Sequence, residues 1–482
     1  MNARPMALPR IAFTGVRPRA RNRESVLLAL IAVALVVGSV SLGATERVLG
    51  GHPAGLTPAD PRALAAYLVV LLAVHVAMIL SGRRTDQILL PAVGMLGGIG
   101  LLLMERLPQD LVQQSVAGRT FGLGQVQLAW LMIALAVIGV LALLVRSDSW
   151  LRLYKYTWAA AGIGLLLLTI VFGVDVNGAR LTLHIGPVSG QPSELLKVIL
   201  VIFLAGYLSE NRALLVEQDT RIGPIRIPPL PYLAPMVAMW AVALGIVVIE
   251  RDLGAALLFF AVFLLLLYAA TGRMSAVAIG LVLFVVGGFV LYQTVGHVRT
   301  RVDIWLDPFA DSSGAGYQVV QALHAFARGG IVGTGLGGGL PLIAGRPPIP
   351  ELHTDFPLAA LGEELGLAGI LAILGLYLVV IERGLRIAAA AADDFRALLA
   401  AGLSLVVGVQ AFIIAAGNLK LIPLTGITLP FISYGGSSLI TNAMVVGLLL
   451  VISDRGVEPP APRRMRRFSP RRLAGRFGGA RP

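Results

Sequence analysis

Long apolar runs separated by short polar joints set the rhythm of this chain. The runs fall near 25–44, 64–81, 88–104, 126–145, 157–173, 194–208, 231–249, 253–270, 276–294, 356–382, 397–416 and 437–453. A helix crossing a bilayer needs about 20 residues, with a range of roughly 17–25. The pattern therefore predicts an all-α polytopic membrane protein with about 12 transmembrane helices. The run at 194–208 is short and polar at its start, so its boundary is the least sharply set. The first run is too long for a secretory signal and lacks a small-x-small cleavage site, so it is expected to stay as a helix. Between the runs, the largest polar joint covers residues 295–355.

Charge orients this scaffold. With both termini cytoplasmic, the inside loops and tails collect 27 Lys/Arg and the outside loops 11. That is the positive-inside pattern, and an even number of spans agrees with it. The large 295–355 loop then lies outside the cytoplasm, where ATP and nucleotide cofactors are not to be had. The formal charge of +13 raises the question of nucleic acid, and its placement answers it. Residues 1–24 carry six arginines against Glu24, and residues 454–482 carry nine against Asp454 and Glu458. Such Arg-, Pro- and Gly-rich tails bury too little apolar surface to fold, and both are expected to be disordered. Their expected neighbour is the anionic inner face of a membrane. No aromatics interleave with the arginines as a stacking surface would need, so no nucleic-acid partner is expected.

Only the remaining composition that changes the chemistry matters here. The chain is 57% hydrophobic and 13% charged, against roughly 45–50% and about 25% in soluble domains. It has no cysteine, which excludes disulfides and thiolate ligands or nucleophiles.

Five stretches stand out. "GTGLGG" at Gly333–Gly338 matches a dinucleotide fingerprint, but no strand precedes it and no βαβ setting surrounds it. Its glycines are read as letting an irregular loop fold back on the helices. "GQPSELLK" at Gly190–Lys197 opens a helix, with Pro192 suited to the first turn. Glu194 and Lys197 share a face at that helix's start. Two charges at the edge of hydrocarbon must pair or line a polar cavity. A structural ion pair and a cavity for a charged ligand explain them equally well.

"ELHTDFPLAALGEELG" at Glu351–Gly366 puts Asp355 where loop becomes helix. Eight residues of helix rise about 12 Å, so Glu363 or Glu364 reaches membrane depth, facing the bundle interior. His353 has no second histidine at metal-ligand spacing, and no protein metal site is expected. "LIPLTGITLPFISYGGSS" at Leu421–Ser438 breaks a hydrophobic run with prolines and glycines. Irregular backbone at that depth is tolerated only where protein or a wet cavity covers it, and a transporter would use the same device.

The fifth stretch, "WLDPFADSSGAGYQ" at Trp305–Gln318, carries two aspartates. Asp307 before Pro308 is good turn chemistry. Asp311 precedes a flexible Ser-Ser-Gly and has no evident turn to cap. The following "GYQVVQALHAFARGG" places Val320, Leu323, Phe326 and Ala327 roughly on one face, as in a helix lying on the bilayer surface.

Together, "NGAR", "QPSELLK", "ERDLG", "WLDPFADSSGAGYQ", "HTDFPLAALGEELG" and "LTGITLPFISYGGSS" resemble the SEDS family (shape, elongation, division and sporulation: RodA, FtsW, SpoVE). The motifs appear in family order over roughly residues 126–453, and the Leu421–Ser438 wording is closer to the RodA branch. The resemblance implies a ten-helix core over 88–453, with residues 25–87 supplying two extra N-terminal helices. It implies a peptidoglycan glycosyltransferase that polymerises lipid II on the outer face of the cytoplasmic membrane during cell elongation. In the family the important acid of this loop lies directly ahead of "x-x-G-x-G-Y-Q", which is Asp311 here. Members with Asn at the position of Asp307 point the same way. Three departures are visible: Ser312 stands where the family usually has Pro, Ser189 where many members have a basic residue, and "ERDLG" replaces "QPDLG". The last leaves Glu250 and Arg251 without an assigned role.

On this reading Asp311 is the general base that activates a sugar 4-hydroxyl, and attack inverts an α-linked centre to a β-linkage. The leaving lipid diphosphate needs positive charge, for which Lys197, Arg299, Arg301 and Arg180 are candidates, held by Glu194 and Asp355. Gln191, Tyr317, Gln318, Ser433, Tyr434 and Gly435 lie in the same motifs and are candidate substrate contacts. No cofactor is required, and a magnesium or manganese ion is a further candidate for neutralising the diphosphate. The family implies a class B penicillin-binding protein as partner, alongside the membrane lipids. Two competing classes remain: a flippase for the same lipid, which predicts internal repeats that the two halves do not show, and a non-catalytic scaffold, which would tolerate loss of Asp311.

Overall fold

The computed structural model describes residues 19–454 except 50–59, 340–346, most of 228–251 and short gaps at 117–118, 177–178, 186–187, 218–219 and 223–224. Both predicted arginine-rich tails, Glu250 and Arg251 lie almost wholly or entirely outside the described residues. The helices that matter are α1 (Asn22–Leu49), α2 (Pro61–Ser81), α3 (Leu89–Arg106), α4 (Leu123–Leu144), α5 (Lys155–Phe172), α6 (Pro192–Glu217) and α7 (Leu253–Thr271). They continue with α8 (Met274–Thr294), α9 (Gly296–Leu306), α10 (Tyr317–Gly329), α11 (Pro357–Ala389), α12 (Asp394–Asn418) and α13 (Gly436–Ser453). Eleven of these are long and apolar enough to cross a membrane among the described residues, α9 and α10 being the exceptions. The protein is a multi-pass membrane protein. The twelfth predicted span, 231–249, falls mostly outside the described residues, although Trp240 within it stacks on Phe263 of α7 at 4.8 Å.

Aspartates start several of these helices by accepting their unpaired N–H groups. Asp60 takes the amides of Arg62 and Ala63 ahead of α2, and Asp252 takes that of Ala255 in α7. Asp86 takes those of Ile88 and Leu89 at the start of α3, and Asp393 that of Arg396 in α12. The bundle packs around α12, which touches α6, α7, α11 and α13, with α4 closing on α13. Among the described residues α3 is the most enclosed span, 78% buried, whereas α8 buries only Gly280 and leans on the bundle's edge.

The all-α expectation holds for the membrane part, with small antiparallel ribbons added at the ends. β1 (Gln114–Val116) pairs with β2 (Arg119–Phe121), and β3 (Val174–Val176), β4 (Ala179–Ile185) and β5 (Val188–Gly190) form a three-stranded meander. β6 (Thr220–Ile222) and β7 (Ile225–Ile227) form a third ribbon at the opposite end. These strands are three to seven residues long, too short to show an alternating pattern in the sequence.

The expected single span at 356–382 is in fact two helical pieces. α11 breaks at Gly366, which sits at φ 65° and ψ −169°, a conformation open to glycine. The "GTGLGG" loop repairs the break. Thr334 N and Gly335 N donate to the carbonyls of Glu363 and Glu364, each at 3.0 Å, and Leu367 N and Ala368 N donate to Gly330 O and Ile331 O, also at 3.0 Å. Backbone groups freed by a broken helix must find partners, and this loop supplies them. The expectation that these glycines fold a loop back onto the helices is borne out.

α10 differs from its expected placement. It packs against the first part of α11, burying Val319, Val320, Ala322, Ala325 and Gly329. Leu323 and Phe326 are half-buried and Ala327 is exposed, so the inward face is turned away from the predicted one.

Candidate active site

Residues 419–435 run without helix across one end of the bundle, the end that also carries the 295–356 segment and the β3–β5 meander. Side chains from three helices satisfy this backbone. Trp305 Nε1 of α9 donates to Lys420 O at 3.1 Å, Arg301 Nη1 to Leu424 O at 3.0 Å, and Gln410 Nε2 of α12 to Thr428 O at 2.8 Å. Tyr377 of α11 donates to Pro430 O at 2.5 Å. Phe431 is held at φ 67°, an unusual conformation for a bulky residue that surrounding contacts must enforce.

Beneath this segment lies a buried polar cluster. Lys197, 2% exposed, donates from Nζ to Glu194 Oε2 at 2.6 Å and to Gln410 Oε1 at 2.8 Å. Gln410 leads on to Thr428, whose hydroxyl donates to Ser438 Oγ at 2.6 Å. Ser193 donates to Asp252 Oδ2 at 3.0 Å beside it. Gln191 is tied through its backbone N–H to Ser437 Oγ at 3.0 Å. Thus the ion-pair reading of Glu194 and Lys197 is correct, and the pair also belongs to a larger polar network.

A second cluster surrounds Asp355. Gly426 lies between Asp355 and Arg301: a Cβ there would sit 3.6 Å from Asp355 Oδ2 and 3.9 Å from the Arg301 guanidinium nitrogens. Burial pushes the Asp355 carboxyl up to about 6; Glu351 adds to the shift, and Thr354 and Arg301 oppose it. Burial likewise pushes His353 down. Asn418 Nδ2 donates to Asp355 O at 2.7 Å, Ser433 Oγ to Thr354 O at 2.7 Å, and Tyr434 N to His353 O at 2.8 Å. Asn418 Oδ1, His353 Nδ1 and Thr425 Oγ1 are buried with no hydrogen-bond partner among the described residues. Buried polar atoms are ordinarily satisfied, so three orphans around one carboxylate mark a place where a polar ligand or water fits. Among the described residues no three His, Asp or Glu side chains gather as a metal-binding group.

Asp311 stands apart from both clusters. It is exposed in the turn between α9 and α10, with no hydrogen bond or ion pair to them among the described residues. The expectation that it caps nothing is overturned. Its carboxylate accepts Gly314 N at 3.0 Å and Ala315 N at 2.8 Å, because the chain turns tightly enough to aim both amides back at it. A Cβ at Gly314 would lie 2.6 Å from Asp311 Oδ1, so a side chain there would push the carboxylate aside. Asp307 accepts Phe309 N at 3.1 Å, as its Asp-Pro setting predicts. The turn reaches the site end through Lys420, whose Nζ donates to Leu306 O at 3.4 Å.

The other candidates are distributed unevenly. Arg299 is exposed and lies over the Tyr292 ring at 5.5 Å, away from Asp355, so only Arg301 of that pair joins the cluster. Arg180 is in β4, in register with Asp175 of β3. Tyr317 and Gln318 start α10, half-buried, and Gly435 is the N-terminal cap position of α13. Glu363 and Glu364 are buried as expected, against Arg328 at 3.1 Å and Arg106 respectively. Sequence reading missed Gln410, Asn418 and Thr428. The available signal was a Gln and an Asn inside or at the end of the otherwise apolar 397–416 run, where polar side chains are costly unless they serve a cavity.

Comparison with known proteins fits this arrangement. The family model FTSW_RODA_SPOVE, "Cell cycle protein", matches residues 86–456. The chain belongs to this family. It is 40% identical over 468 residues to the protein named peptidoglycan glycosyltransferase RodA of Mycobacterium tuberculosis (strain ATCC 25618 / H37Rv), covering 96% of this chain and 97% of that one. It is 36% identical over 392 residues to the probable peptidoglycan glycosyltransferase FtsW of Nitrosococcus halophilus (strain Nc4), covering 80% and 96%. A chain of the solved structure named "Structural coordination of polymerization and crosslinking by a peptidoglycan synthase complex" superposes with a TM-score of 0.60 at 27% identity, covering 77% of this SEDS chain and 98% of that one. The recognition of the SEDS family, and of its RodA branch, from the ordered motifs is borne out.

Proposed function

We propose that this SEDS protein is a peptidoglycan glycosyltransferase that polymerises lipid II into β-1,4 glycan strands on the outer face of the cytoplasmic membrane. One observation carries the reading beyond family likeness: a displayed carboxylate, Asp311, is tethered to the end of the bundle that holds the buried Lys197 and the half-buried Arg301 and Asp355. Asp311 takes the proton from the acceptor 4-hydroxyl as that oxygen attacks the anomeric carbon of the donor. The two backbone amides fix the direction in which its carboxylate points. Arg301 and Lys197 offset charge on the departing diphosphate, and Asp355 positions Arg301. Lys197 is already matched by Glu194, which leaves Arg301 the better-placed cation. The substrate bridges the gap between the exposed turn and the buried clusters. A divalent cation belongs here as part of the bound diphosphate, since magnesium is commonly held by substrate phosphates with only one or two carboxylates.

The tail of the lipid has apolar surface to lie against. A groove of about 220 Å³ runs between α1, α3 and α11, lined by Leu35, Gly38, Leu102 and Ile373 and ending at Arg106 and Glu364. The solved complex suits a class B penicillin-binding protein as the cross-linking partner. On this reading both termini lie in the cytoplasm, as the arginine distribution asks.

The test is direct. Purified protein with its transpeptidase partner, given fluorescent lipid II, is expected to produce a ladder of glycan products on a gel. A well-folded preparation that leaves lipid II unpolymerised but moves it across vesicle bilayers would replace the enzyme with a transporter.

A further inference from the structure

A cavity larger than the apolar groove lies at the other end of the bundle. It measures about 700 Å³ and is walled by the segment before α1, the α2–α3 connection, the last turns of α11 and the end of α13. Seven arginines line it, Arg19, Arg21, Arg23, Arg83, Arg84, Arg383 and Arg386, together with one carboxylate, Asp86.

That carboxylate is committed elsewhere. One Asp86 oxygen caps α3, and the other is paired with Arg383. Arg21 is a structural pin: it is 2% exposed and donates to Glu24 Oε2 at 2.8 Å, Thr85 Oγ1 at 2.9 Å and Asp86 O at 2.7 Å. Glu24 is further held by His75 at 2.6 Å. Arg83 is occupied with the carbonyls of Leu143 and Val145, each at 2.8 Å, and Arg386 with Glu382. Arg19, Arg23 and Arg84 are exposed, and none has an ion-pair partner among the described residues. Asp454 accepts Arg84 N at 3.1 Å and lies 3.9 Å from Arg83 Nε, so among the described residues the guanidinium groups of Arg19, Arg23 and Arg84 are the wall's cations without an ion pair.

A cleft lined by one sign of charge concentrates its field and collects the opposite ion. Arginine's fork of donors matches phosphate oxygens. The volume falls in the range of small-molecule sites, well beyond a single phosphate. Ile88, Ile387 and Ile452 give the basin an apolar margin beside membrane-spanning helices. We infer that this basin is a binding site for a di- or polyphosphate anion, presented by the headgroup of an anionic membrane lipid. Basic pockets between transmembrane helices take such headgroups. That the lipid comes from the inner leaflet rests on the sidedness proposed above. A micelle exposes both ends of the bundle, so the test below does not depend on it.

The experiment uses the full chain in neutral detergent, titrated separately with cardiolipin, phosphatidylcholine and inorganic pyrophosphate, with binding read by thermal shift and native mass spectrometry. The variant is Arg19→Gln/Arg23→Gln/Arg84→Gln, which spares the pin Arg21. A control of equal charge, Arg47→Gln/Arg62→Gln/Arg152→Gln, is exposed and lies outside the basin. Cardiolipin is expected to bind wild type and control alike and to bind the basin variant about a hundredfold more weakly, the loss expected when three such arginines are neutralised. Pyrophosphate is expected to compete. Pyrophosphate binding that depends on the basin, with no cardiolipin binding, keeps the site and makes its source a soluble phosphate. Equal weakening in both variants, equal binding of phosphatidylcholine, or binding of neither phosphate compound overturns the proposal.

Discussion

Two residues at the start of α6 show how a buried charge can be both structural and functional. Lys197 binds Glu194 and Gln410 in the same geometry, so removing the lysine leaves a carboxylate and an amide oxygen unpaired inside the protein. Breaking such a pair costs about 3–5 kcal/mol, whereas replacing both partners with apolar residues is often neutral. Lys197→Met is therefore expected to lower thermal stability markedly, and Lys197→Met/Glu194→Leu to recover most of it. Polymerisation is expected to stay lost in both; recovery of polymerisation in the double variant would reduce the pair to scaffolding. The spacing of the pair was readable in the sequence, because residues three apart share a helix face. Gln410 was not, since its partner is 213 positions away and only packing brings them together. Asp355 makes a separate prediction. Its carboxyl titrates near 6 in the folded protein against an ordinary value of 3.8. Between those values the native state binds more protons than the unfolded chain, so stability should fall as pH rises through that window. On the proposed mechanism the charge of the ionised form orients Arg301 across Gly426, so activity should rise through about pH 6 instead. Asp355→Asn is expected to abolish that rising limb and leave a low, flat profile, measured as polymerisation rate against pH.

At the scale of elements, the chain's irregular pieces do more than its helices. Spans were legible because apolar runs of helix length are unambiguous. The break in α11 was not, since "EELGLAG" carries no proline and reads as continuous helix. What breaks it is a tertiary partner, the 330–335 loop, whose amides and carbonyls replace those lost at Gly366. A side chain at Gly366 would meet Ile331 O at 2.5 Å, in a backbone conformation that disfavours any Cβ. Gly366→Ala is expected to cost about 1–3 kcal/mol or more, seen as a lowered unfolding temperature in detergent. An unchanged temperature would mean that the loop does not hold the break. The same logic explains why the Asp311 turn was misread. Ser-Ser-Gly looked slack in the sequence, but Gly314 lets the backbone return its amides to the carboxylate.

For the whole molecule, the arrangement separates two ends: one carrying carboxylates, the broken loop and the displayed turn, the other carrying the arginine basin. The absence of native cysteine makes sidedness simple to measure. In intact cells stripped of any outer barrier, a membrane-impermeant maleimide is expected to label Ser313→Cys and to spare Ser147→Cys until the cells are opened. The reverse pattern would invert the topology and remove Asp311 from the proposed outer face. The central claim is that Asp311 does the chemistry while Asp307 shapes the loop. The most direct measurement is lipid II polymerisation by wild type, Asp311→Asn and Asp307→Asn, each with the proposed transpeptidase partner and each checked for folding. Asparagine keeps one carbonyl oxygen for the turn but cannot act as a base. Asp311→Asn is expected to lose about 10²–10⁴-fold in rate, with Asp307→Asn retaining most activity; a normally active Asp311→Asn would contradict the account.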